Sequence, residues 1–131
     1  MTVNSVPYRT TVLKRFVLYW FPLFCYLAFI FYISSLSFHI RYRPFQHFDK
    51  LLHMLEYAIL SLFFYRALRD TVHESFARYV SVMAIGACIF YGILDEYHQS
   101  FVPFRVSDPF DVVADAVGAT LMQWILHFSH R

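Results

Sequence analysis

Charge is scarce in this chain, and glycine scarcer still. Of 131 residues only 15% are charged and three are glycine, while 59% are hydrophobic and 21% aromatic. A soluble domain of this length has too little interior to bury so much apolar surface, which excludes the ordinary water-soluble classes. There is no Gly-rich phosphate loop, no serine-nucleophile elbow and no HExxH zinc motif. The two cysteines, Cys25 and Cys88, lie in different apolar runs without paired spacing, so they read as small packing residues and say nothing of redox compartment. No internal repeat and no low-complexity tract interrupts the chain, and no nucleic-acid partner is expected.

Long apolar runs are what the chain has in plenty. Residues 16–38, "FVLYWFPLFCYLAFIFYISSLSF", carry no formal charge. A bilayer core needs roughly 20 apolar residues in a helix, so this stretch can span. It is too long and bulky for a cleaved signal peptide, although Arg9, Lys14 and Arg15 precede it. Pro22 is placed near the helix start, where amide donors are in surplus. Three further spans follow at about 51–68, 79–97 and 110–128. The second is interrupted by His53 and Glu56, the third runs into Asp95 and Glu96, and the fourth holds Asp111 and Asp115. The predicted fold is an all-α membrane protein, four transmembrane helices in a compact bundle, forming a single domain over residues 1–131.

Basic residues set the expected topology. With four spans, seven of them (Arg9, Lys14, Arg15, Arg66, Arg69, Arg78, Arg131) share one side, against four (Arg41, Arg43, Lys50, Arg105) on the other. The positive-inside rule then puts both termini in the cytoplasm. His53, Glu56, Asp95, Glu96, Gln99, Arg105, Asp111 and Asp115 all fall near the outer surface in this arrangement. At 100° per residue, Asp49, His53 and Glu56 lie within an arc of about 60° on the second helix, with Tyr57 at its margin. Gly92, Glu96 and Gln99 share a face of the third helix; Asp111, Asp115, Gly118 and Met122 line a stripe of the fourth. Polar groups facing lipid cost several kcal/mol, so these faces are expected to turn inward and line one pocket.

Plainer readings stand beside each of these residues. Asp49 can cap the second helix, and "SDPFD" makes a good helix start with Ser107 or Asp108 as cap and Pro109 just inside. Asp95 and His98 read as a surface pair, and Tyr57 as an interface aromatic. His53, Glu96 and Asp115 resist such explanations best. Chemically, His53 with carboxylates nearby suits acid–base work. Lys50 and Arg105 suit an anionic head group, the arginine by two hydrogen bonds to phosphate. His53, Glu96, Asp111 and Asp115 could instead take a divalent metal, though their spacing is not diagnostic. The remaining alternative is a buried polar network that only holds helix register.

"FDKLLHMLEYAILSLFF" and "LDEYHQSFVPFRVSDPFDVVADAVGA" together resemble the VanZ-like family of small membrane proteins. The matching positions are Asp49, Lys50, His53 and Tyr57, then Glu96, Gln99, Pro103, Arg105, Asp111 and Gly118, with Ser34 and Ser35 as a polar pair ending the first helix. Asp115 stands where the pattern usually has Asn. The resemblance extends over roughly residues 30–120 and implies a four-helix integral membrane protein. It also implies a link to glycopeptide (teicoplanin) tolerance through the founding member, without a chemical mechanism. The reading that the resemblance implies is a bacterial inner-membrane, cell-envelope protein with an outward polar site, engaging or modifying membrane lipid or a lipid-linked or glycopeptide-like ligand. His53, Glu96, Asp111 and Asp115 are its candidate catalytic groups, and Asp49, Lys50, Tyr57, Gln99 and Arg105 its candidate ligand contacts. The alternative is a non-enzymatic scaffold or binding protein. A proton-coupled transporter fits less well, since its acids belong nearer the midplane. Cofactor, metal and oligomeric state are left open.

Overall fold

The structure, a computed structural model, describes residues 8–36 and 47–129, with side chains from Val12 onward. Expectations resting on residues 37–46, on the Arg9 side chain and on Arg131 lie outside it. Among the described residues there are helices and connections but no strand. They run α1 (Tyr8–Arg15), a π-helical turn (Phe16–Trp20), α2 (Phe21–Ser35), α3 (Phe48–Thr71), a 3-10 turn (Glu74–Tyr79), α4 (Val80–Gln99) and α5 (Pro109–Ser129). Four stretches are long and apolar enough to cross a membrane: Val12–Ser35, Phe48–Thr71, Glu74–Gln99 and Pro109–Ser129.

Pro22 corrects one expectation. The helix begins well before it, so Pro22 is not in a first turn. Proline offers no N–H to the carbonyl four residues back, and its ring collides with that carbonyl. The chain responds with the π turn, in which the Phe21 N–H donates to the Phe16 carbonyl five residues earlier. Another correction concerns the start of α3. The residue preceding it is His47, in the left-handed conformation at φ 67° and with no side-chain cap, while Asp49 lies inside the first turn.

The bundle packs through small residues. In lipid there is little hydrophobic gain from joining two helices, so close backbone approach and interhelical hydrogen bonds must supply the attraction. α4 buries Ala84, Cys88 and Gly92 at four-residue intervals, and α5 buries Ala114, Gly118 and Ala119. A Cβ on Gly118 would overlap the backbone carbonyl of Met54, so α5 lies against the main chain of α3. α3 also packs on α2 and α4, and α4 on α5. Deeper in the bundle the Gln123 Nε2 donates to the Ser61 carbonyl (3.1 Å) and Oγ (2.8 Å), and Ser61 Oγ donates to the Ala119 carbonyl. The outside is greasy instead: Phe24, Phe29, Val82, Phe90, Val113 and Ile125 are all exposed, as a lipid-facing surface requires.

Candidate functional site

The polar residues gather at one end of the bundle, where α2 and α4 finish and α3 and α5 begin. This follows from chain direction: Ser35 Oγ and His98 Nε2 are 2.9 Å apart, and Arg105 reaches back to the last turn of α2. The connection from α4 to α5 makes that reach possible. Its Arg105 N–H donates to the Val102 carbonyl across Pro103 and Phe104, with Phe104 at φ 65°. A positive φ at the third residue is the type II pattern, normally filled by glycine, so this turn is held by its surroundings. Arg105 Nε donates to the Leu36 carbonyl (3.0 Å) and Nη2 to the Ile33 carbonyl (2.9 Å), capping the exposed carbonyls of α2.

Glu96 organises the same connection from the α4 side. Its Oε2 accepts from the Ser107 hydroxyl (2.9 Å) and the Asp108 N–H (2.8 Å). Asp108 in turn caps α5, its Oδ1 accepting from the Phe110 N–H, with Pro109 as the first helical residue. The start seen in "SDPFD" is therefore the real one. Lys50 bridges from α3 to Asp108 and Asp111 and lies 3.7 Å from Asp49. The Lys50 ammonium holds the Asp108 carboxyl below the usual carboxylate range. That tie is present above the ordinary carboxylate value and is lost as pH falls through the lowered one.

His53 is the hinge between the acids. Its Nδ1 is 3.0 Å from Asp115 Oδ1, and its Nε2 is 3.7 Å from Asp111 Oδ2. An ionised carboxylate only accepts, so a protonated Nδ1 donates to Asp115, and a proton on Nε2 would point toward Asp111. Asp115 is 1% exposed, and its other oxygen leaves no room on α4: a Cβ on Gly92 would stand 2.7 Å from Asp115 Oδ2.

Beside this network lies a cavity of about 120 Å³. Asp49, His53, Glu56, Asp95, Gln99 and Arg105 line it, together with Ser34 and apolar residues of α2 and α3. Three buried oxygens here have no hydrogen-bond partner among the described residues: Ser34 Oγ, Asp95 Oδ1 and Glu96 Oε1. Such orphans are uncommon, since an unsatisfied buried polar group costs about 1–3 kcal/mol.

The structure thus brings His53, Glu96, Asp111 and Asp115 together, with Lys50 on one side and Asp49, Gln99 and Arg105 around the cavity. Tyr57 is placed differently from its reading as an interface aromatic. It is fully buried in the core, beside Gly92, and its hydroxyl has no partner among the described residues. Asp95 and His98 are not a surface pair either. Asp95 is buried and accepts from Gln99 Nε2 (2.9 Å), while His98 meets Ser35 and packs on Phe31 with centroids 4.4 Å apart. Asp95 and Ser34 are lining residues that the sequence-derived site lacks, and Glu56, expected on an inward face but not among the named ligand contacts, lines the cavity too. The four-residue spacing of Asp95 and Gln99 was the available signal for the first.

Both basic groups face protein acceptors, and the acids outnumber them. Residues 5–130 match the description of the VanZ/LLP1 family. The chain belongs to that family. The match is wider than the roughly 30–120 over which the motifs are legible. No curated protein and no solved structure matches the chain. Within a VanZ/LLP1 chain, the motif residues from Asp49 to Gly118 are those that meet at this end of the bundle. Gly118 is the packing contact that brings α5 close enough to α3 for Asp115 to reach His53.

Proposed function

We propose that this VanZ/LLP1 protein holds the polar head of a membrane lipid or lipid-linked envelope ligand in the cavity between α2, α3 and α4. The carrying observation is the pair of orphaned oxygens, Ser34 Oγ and Asp95 Oδ1, buried on residues that line it. Size narrows the ligand. Pockets that enclose a whole small molecule run to about 300–1,000 Å³, so a 120 Å³ cavity takes only the tip of a head group. Charge narrows it further. Lys50 and Arg105 already have protein acceptors, while Asp49, Glu56 and Asp95 line the cavity. Hydrogen-bond donors, an ammonium or sugar hydroxyls, suit this wall better than a bare phosphate. The ligand's tail stays in lipid beside the exposed apolar faces. With both termini cytoplasmic, the cavity serves the outer leaflet of the bacterial inner membrane, and glycopeptide tolerance follows from altered envelope lipid chemistry or altered access of a lipid-tailed drug.

The test is lipid retention. Native mass spectrometry of protein extracted from its own membrane should find a lipid bearing an amine or hydroxyl head, and Asp95→Leu should lose it. Equal retention by Asp95→Leu and by a lipid-facing control such as Phe90→Leu sinks the proposal.

A second reading has its own support. Lys50 to Asp111 and His53 to Asp115 join α3 to α5, the two most closely packed helices. In a non-enzymatic scaffold this half of the network would only set helix register. Loss of the folded protein in both His53→Gln and Glu96→Gln would favour it.

A further inference from the structure

We infer that His53, Glu96 and Asp111 form a binding site for one first-row divalent metal ion. Each residue presents a donor atom, and the three atoms lie within 4.8 Å of one another. They come from α3, α4 and α5, so the ion would tie three helices together at the polar end.

Two features distinguish this from a chance cluster of acids. The first is Glu96. One of its oxygens is occupied by the Ser107 hydroxyl and the Asp108 N–H, which fixes the carboxylate in place. The other, Oε1, is buried on a residue only 6% exposed and meets no donor among the described residues. A carboxylate oxygen held in the open has the chemistry of a ligand awaiting a cation. The second feature is the histidine. Asp115 lies 3.0 Å from Nδ1 and can hold a proton there, which leaves Nε2, 3.7 Å from Asp111 Oδ2, as the nitrogen at which a metal ion would replace a proton. A carboxylate behind a ligating imidazole is the usual way of fixing its tautomer and raising its basicity.

Distance and charge are compatible. Nitrogen and oxygen ligands of one zinc ion sit at roughly 2.0–2.2 Å from it, hence about 3–3.5 Å from each other. Side-chain shifts of about an ångström would bring donors spread over 4.8 Å to that spacing. Asp111 can serve two cations, since Oδ1 faces Lys50 and Oδ2 faces His53. Lys50 and Arg105 leave an excess of carboxylate among Asp49, Glu56, Asp95, Glu96, Asp108, Asp111 and Asp115. One imidazole with two carboxylates suits zinc or manganese better than calcium or magnesium. The inference stands apart from the head-group proposal, because it requires no lipid.

The experiment uses the full chain in detergent micelles, with any purification tag removed and chelator dialysed away. Calorimetric titration with Zn²⁺, and separately with Mn²⁺, should show saturation at one ion per chain for at least one of them. Glu96→Gln and Asp111→Asn should each weaken binding by at least the roughly tenfold that loss of a supporting group alone causes. His127→Gln, an exposed histidine elsewhere, should bind as the parent does. Because Asp111→Asn also loosens Lys50, a second readout is needed. Co²⁺ bound to the parent protein should give visible absorption that shifts or vanishes in His53→Gln. The inference is overturned if the folded parent shows no saturable binding of either ion. It is equally overturned if Glu96→Gln binds as tightly as the parent, or if His127→Gln loses as much.

Discussion

The pattern that the sequence resembles leads one to expect asparagine where Asp115 stands, and the neighbours of Asp115 say what the difference means. The required feature is an acceptor for the His53 Nδ1–H, which the side-chain oxygen of either residue provides. Asp115→Asn should therefore fold, reach the membrane and keep most of any phenotype the protein confers, such as altered glycopeptide tolerance. His53→Gln should behave otherwise, since glutamine has no ring to hold between Asp111 and Asp115. We expect normal membrane levels for His53→Gln and Glu96→Gln, melting temperatures within a few degrees of the parent, and loss of phenotype in both. For Glu96 the reason is specific: glutamine's oxygen can still accept from Ser107 and Asp108, so shape survives while charge does not. Immunoblots of membranes, thermal melts in detergent and drug-sensitivity assays measure the three quantities. A buried charge pair that only served the fold would cost about 3–5 kcal/mol when broken, and both variants would then disappear from the membrane.

Between elements, the contact that sets the site is α5 against α3. It is made backbone to backbone at Gly118 and Met54, and it brings Asp111 and Asp115 within reach of Lys50 and His53. A methyl group at Gly118 meets main chain, which cannot rotate away. Gly118→Ala should therefore push the helices apart and cost about 1–3 kcal/mol, the usual range for overpacking. Denaturant titration in mixed micelles measures the loss, and Gly86→Ala is the matched control, because nothing lies within 4 Å of a Cβ there. Equal effects at the two glycines would refute this account of the packing. The short connection from α4 to α5 is the other structural determinant. Its left-handed Phe104 turns the chain so that Arg105 caps α2 while Glu96 holds the start of α5, so one strained turn serves three helices.

Across the whole molecule, the four spans alternate in direction, and the polar cavity lies at the end opposite the pairing of Arg15 with Asp70 and of Trp20 with Thr71. Which end faces outward is a matter of basic residues rather than of packing. Arg66 and Arg69 near the end of α3 and Arg78 in the following 3-10 turn lie at the end of the bundle where α1 begins and α5 finishes. A periplasm-active reporter fused after Arg131 should be silent, and one inserted at Gln46 should be active. The reverse pattern would place the cavity at the cytoplasmic face and end the outer-leaflet proposal. Either result leaves the metal inference untouched, because it depends only on side chains within the bundle.

Hydropathy was enough for the number of spans, because a bilayer demands long uncharged helices whatever their neighbours do. Helical periodicity was enough to place His53, Glu96 and Asp115 on inward faces, since charge facing lipid is costly. The cap at Asp108 was legible for a similar reason: capping depends on residues adjacent in the chain. Pro22 was misplaced because its meaning depends on where the helix begins, and the polar residues before it did not disclose that the helix continued upstream. Asp95 and Tyr57 were misread because their burial is a property of neighbours on other helices. The same holds for the pairing of His53 with Asp115, the capping of α2 by Arg105 and the bare oxygen of Glu96. Each depends on how far apart and at what rotation the helices pack, and periodicity along one helix carries no information about its neighbour's rotation.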